Sequence, residues 1–133
     1  MPDKHLPLAT AIHASRAWDS MFRQIMLAGK QMRPLDESQQ IDENKVVGCE
    51  AAVWLVVDIN AQGSKSYHAY SPSKIVRGLL AIILEKANSL TGSEQATFDY
   101  QQYLSDIGLS RFLSPSRQNG LAAVIKRIQT ETN

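Results

Sequence analysis

Apolar positions along the chain change period several times, and each change marks an element. Trp18, Met21, Phe22 and Ile25 recur at helical spacing, with Asp19 and Arg23 on the other side, and Trp18, like Trp54, is expected to be core. This predicts a first helix from Ser15 to Ala28, with Gly29 as its C-terminal stop. Residues 33–45 then turn polar, the mark of a surface connector. Val53 to Ile59 is a short β-branched and aromatic run and reads as a buried strand. Asn60-Ala61-Gln62-Gly63 supplies a turn, and Lys65 to Tyr70 returns as the second strand of a hairpin. Lys45 to Val47 is a candidate third strand.

Ser71 or Ser73 can cap the following helix, which runs to about Ala87 with Pro72 near its first turn. Ile75, Val76, Leu79, Leu80, Ile82 and Ile83 make it apolar on most sides, so it belongs in the middle of the domain. Asn88 to Ala96 is expected to be a loop. A shorter helix follows near Tyr100 to Ile107, stopped by Gly108. A last helix starts around Ser114-Pro115, with an apolar stripe of Leu121, Val124, Ile125 and Ile128. Lys126 and Arg127 sit in its final turns, where cations suit the helix dipole. Residues 1–13 are expected to be loosely ordered, as termini usually are. The pattern gives an α+β class: a small antiparallel sheet of two to three strands packed against several helices.

Composition narrows the function classes. The 133 residues suit one domain, here 1–133, and are 44% hydrophobic and 20% charged. With 14 basic and 13 acidic residues, bulk charge gives no reason to expect a nucleic-acid or anionic-membrane partner. The apolar run Leu79 to Leu84 is far shorter than the roughly 20 residues of a membrane span. No signal-peptide pattern opens the chain. A single cysteine excludes an internal disulfide and favours a reducing, cytoplasmic location.

That cysteine, Cys49, is the main candidate for chemistry. A lone cysteine is commonly a small buried hydrophobe. Gly48 before it allows a sharp turn, which would set Cys49 at a loop tip rather than inside a strand. A thiol there could attack a persulfide and later yield the sulfur to another thiol. The histidines His5, His13 and His68 show no metal-ligand spacing, so no metal is expected. A Cys49–His68–Asp58 triad is the sharper alternative, although three common residues at arbitrary spacing carry little specificity. Arg77 lies amid apolar neighbours and is expected to snorkel to the surface. Arg117 falls in the first turn of the last helix, against the dipole, which points to a job elsewhere. Gly120 interrupts that helix at a cost of about 1 kcal/mol, as close approach of another backbone would require.

Three blocks of sequence carry a resemblance. Val47-Gly48-Cys49-Glu50 followed by Val53-Trp54-Leu55 resembles the SufE-like sulfur acceptors, the SufE and CsdE group. Ile75-Val76-Arg77-Gly78-Leu79-Leu80-Ala81 is similar to that family's central helix, and Leu113 to Leu121 to its C-terminal signature. Arg77 and the segment Met26 to Gln31 lean toward the CsdE side. Ala51 and Ala52 depart from the family, whose members often carry a polar residue there.

The resemblance implies a scaffold-like α+β fold in which Cys49 takes persulfide sulfur from a cysteine desulfurase. Sulfur would then pass to a downstream acceptor or iron–sulfur scaffold, with the desulfurase stimulated on the way. Gly48, Glu50, Arg117 and His68 are the candidate loop and support residues. Pyridoxal phosphate would belong to the partner alone, and this chain would hold no cofactor. A sulfur-transfer partner, monomeric or weakly dimeric, is expected rather than a stand-alone enzyme. The alternatives are a cysteine-nucleophile hydrolase using Cys49 and His68, and a binding module in which Cys49 is inert.

Overall fold

A computed structural model describes residues 6–15, 17–49, 51–59, 65–91 and 93–132. These form an α+β fold with one two-stranded antiparallel sheet. In chain order the elements are α1 (Pro7–Ala14), α2 (Trp18–Lys30), β1 (Trp54–Ile59), β2 (Lys65–Tyr70), α3 (Lys74–Ser89), α4 (Glu94–Thr97), α5 (Tyr100–Asp106) and α6 (Pro115–Thr132). Two 3-10 turns, Glu37–Gln39 and Asp42–Asn44, punctuate the polar connector. The turn expected at 60–63 lies outside the described residues.

The centre is α3, as its apolar circumference requires. Leu79, Leu80, Ile82 and Ile83 are fully buried. Ser73 caps the helix by accepting a hydrogen bond from the Val76 amide at 3.4 Å. α2 crosses α3 at two glycines. A Cβ on Gly78 would stand 2.0 Å from the Ile25 carbonyl oxygen, and one on Gly29 would stand 3.0 Å from the Gly78 nitrogen. So Gly29 does not stop α2. It is a contact residue, and the helix runs on to Lys30.

The sheet pairs Leu55 with Ala69 and Val57 with Tyr67, and the buried members of these pairs face the core. Its outer edge is closed by side chains. Asn88 accepts from the Tyr67 amide at 2.7 Å and donates to the Tyr67 carbonyl at 3.0 Å. Gln95, fully buried, donates to the Lys65 carbonyl at 2.9 Å. A covered edge needs no further strand. On the other side, the candidate strand Lys45–Val47 is reduced to a single bridge between Lys45 and Trp54.

Three expectations are corrected. The N-terminus is ordered from Pro7: Ala9 and Ile12 enter the core, and the amides of Leu8 and Ala9 donate to the Glu85 carboxylate at 2.7 and 3.1 Å. That carboxylate of α3 caps the helix, which has no cap of its own. Trp18 is 61% exposed and stacks on Phe22 at 5.2 Å between ring centroids, while Met21 and Ile25 alone carry that stripe into the core. The expected loop 88–96 includes α4 and the end of α3.

Arg77 reaches polar partners without leaving the body of the protein. It donates to the Ser71 carbonyl and the Tyr70 hydroxyl, each at 2.9 Å, and lies over the Tyr70 ring at 4.6 Å. The junction from β2 to α3 is fixed by these contacts, and Ser73 and Val76 just beyond it face the site described next.

Candidate functional site

The chain leaves the Lys45 bridge, closes one hydrogen bond from the Val46 amide to the Val53 carbonyl at 2.8 Å, and turns. Val46 is buried, Val47 next to it is 88% exposed, and Gly48 adopts φ +101°. That left-handed value is one glycine reaches without strain. The turn brings Cys49 back onto α6, where its thiol donates to the Gly120 carbonyl at 3.3 Å. The close approach expected at Gly120 is therefore that of Cys49: a Cβ on Gly120 would meet the sulfur at 3.7 Å.

Cys49 opens on a cavity of about 360 Å³. Its apolar wall comes from Ala51 and Val53, from Val76 and Leu79 of α3, and from Leu121 and Val124 of α6. Ser73, Ser114, Ser116 and Arg117 supply its polar rim. Burial pushes the Cys49 thiol up from its ordinary range, because a thiolate would be poorly solvated there. The hydrogen bond to Gly120 acts in the same sense, since only the protonated sulfur can donate it. At rest the site holds a neutral, guarded thiol.

The other candidates separate. Arg117 stands on the rim with its guanidinium exposed, and among the described residues no hydrogen bond or ion pair engages it. It also borders a second cleft, beside Trp18 and Phe22. Gly48 makes the turn. Glu50 lies outside the described residues. His68 is on the exposed face of β2, with Nε2 3.1 Å from the Asp58 carboxylate, and it lines a different cavity with Arg33 and Glu85. So the structure joins His68 to Asp58 but not to Cys49, and among the described residues no histidine lines the Cys49 cavity. Among the described residues no group of three or more His, Cys, Asp or Glu could hold a metal ion. None of the described helices is long and apolar enough to cross a membrane.

Ser73 and the Gly120 carbonyl went unrecognised as site groups in the sequence. The signal for Gly120 was there, as a glycine inside a helix. Ser73 is the cap of α3, and nothing in its local pattern marks a second role.

The SufE domain, described as Fe–S metabolism associated, matches residues 7–132. An uncharacterised SufE-like protein of Rhizobium etli is 38% identical over 117 residues, covering 86% of this chain and 79% of the relative.

Proposed function

The chain belongs to the SufE family, whose domain is associated with Fe–S metabolism, and on that premise we propose that it accepts sulfur on Cys49 from a cysteine desulfurase. The observation that carries the reading is the guarded thiol: Cys49 stands at a turn, half-buried, tethered to Gly120 and facing an apolar cavity.

The step is thiol–persulfide exchange. The Cys49 thiol loses its proton and attacks the terminal sulfur of the donor's persulfide. A new sulfur–sulfur bond forms on Cys49, the donor's bond breaks, and the donor cysteine leaves as thiolate. Because the resting thiol is neutral and enclosed, this attack requires the turn to carry Cys49 out of the cavity. The proton is lost more readily there, since water again solvates the thiolate. Gly48 supplies the backbone freedom. Arg117 at the rim is placed to attract the anionic persulfide once formed.

Withdrawal into the cavity then keeps bulk thiols from the carried sulfur until a downstream acceptor or cluster scaffold docks. The cofactor chemistry that makes the first persulfide, through pyridoxal phosphate, belongs to the desulfurase. Such a relay works in a reducing compartment, which the cytoplasm provides. A free-standing hydrolase is less well supported, because His68 faces a different cavity and, among the described residues, no other general base lines the Cys49 cavity. The reading is tested by desulfurase turnover: Cys49→Ser protein should fail to stimulate alanine release from cysteine, and full stimulation would make Cys49 a bystander.

A further inference from the structure

The Cys49 loop has two legs, and they are held by different means. The returning leg leads through buried Val53 directly into β1. The outgoing leg, Glu43 to Lys45, is exposed at its two ends; apart from the bridge of Lys45 to Trp54, it is tied to α6 by one side chain. Arg127 Nη2 donates to the Glu43 carbonyl at 2.9 Å, and Nη1 to the Lys45 carbonyl at 3.3 Å.

Arg127 stands seven residues after Gly120, two helical turns on, so the two share a face of α6. Ala123 lies between them on that face and meets the turn itself: a Cβ on Gly48 would contact the Ala123 methyl at 3.4 Å. One helix face thus engages the outgoing leg, the turn and the thiol in succession. A guanidinium suits the first of these, because its planar fork can reach two carbonyls at once.

We propose that Arg127 is the latch of the Cys49 loop, pinning the outgoing leg to α6 so that the turn at Gly48 seats the thiol over Gly120. Arg127 touches no reacting atom and is a positioning residue. With the leg pinned, the Val46–Val53 hydrogen bond is the hinge, and only the residues beyond it need move when Cys49 leaves. The inference deepens the sulfur-acceptor reading, since a thiol that never left its cavity would need no latch.

The test uses the protein without any desulfurase, so its outcome is independent of whether sulfur uptake succeeds. Wild type, Arg127→Ala and Arg127→Lys are alkylated with iodoacetamide and followed by intact mass. Backbone hydrogen exchange and urea unfolding run in parallel. Arg127→Ala should alkylate about three- to tenfold faster, with faster exchange at the Val46 amide and unchanged exchange at Leu80 to Ile83. Arg127→Lys should fall between, because a point charge reaches one carbonyl well. Alkylation and Val46 exchange at the wild-type rate in Arg127→Ala would overturn the latch. So would acceleration that extends to the α3 amides with a lowered urea midpoint, since that would be general destabilisation.

Discussion

The sulfur of Cys49 donates a hydrogen bond to the carbonyl oxygen of Gly120, 3.3 Å away and 71 residues further along the chain. One partner ends a turn beside a two-stranded sheet, and the other lies inside the last helix. The contact defines the resting state of the site: protonated, enclosed and oriented by one acceptor.

Substitutions at Gly120 grade this contact by size. A methyl group would sit 3.7 Å from the sulfur, an ordinary contact, and alanine is the better helix former by about 1 kcal/mol. Gly120→Ala should therefore be stabilising by roughly 0.5–1 kcal/mol in urea unfolding, with Cys49 alkylation close to wild type. Gly120→Val adds branched atoms toward the sulfur and should unseat it, at a cost of about 1–3 kcal/mol. Its alkylation should be faster. Equal alkylation of the Val and Ala variants would mean that Cys49 is not seated against this helix.

The pH dependence follows from the raised Cys49 thiol, whose cause is burial. The alkylation rate of folded protein should rise with pH about an inflexion above that of urea-unfolded protein, which marks the ordinary thiol near 8.5. The same shift has a stability consequence. The fold favours the protonated form, so this contribution is fully present below the unfolded thiol's value and is lost as pH rises through the folded one. Cys49→Ala should thus lose less stability than wild type across that alkaline window. Coincident inflexions in folded and unfolded protein would show an exposed thiol.

The crossing of α2 and α3 rests on Gly78. Its added Cβ would meet the Ile25 carbonyl oxygen at 2.0 Å and the Ile25 Cγ2 at 2.7 Å, and a backbone oxygen inside a helix has nowhere to go. Gly78→Ala should cost about 3 kcal/mol or more in urea unfolding, as the helices part. A cost under about 1 kcal/mol would mean that this crossing is loose.

Periodicity made α5, α6 and β2 legible, because each buries one face at its own period, and α3 was legible by being apolar on most sides. β1 was expected to be a buried strand but buries only Leu55 and leaves Asp58 and Ile59 exposed, because one of its faces is open. It misread Trp18, since helical spacing cannot tell a core stripe from an exposed aromatic pair at its edge. It misread Gly29, since a glycine near a helix end has two uses and only the partner helix decides between them. α1 escaped because its cap, Glu85, belongs to another helix. At the site, Cys49 and Gly48 stood out by type and order, and Gly120 by being out of place. Arg127 fits the dipole of its helix, so nothing in the sequence asked for the contact it makes with the loop.

The most direct test of the central claim is the intact mass of the protein after incubation with a cysteine desulfurase and cysteine. The account expects wild type to gain the mass of one sulfur atom, lost again on reduction, and Cys49→Ser to gain none. A wild-type protein that stays at its original mass while the desulfurase turns over, or a sulfur adduct that survives in Cys49→Ser, would contradict it.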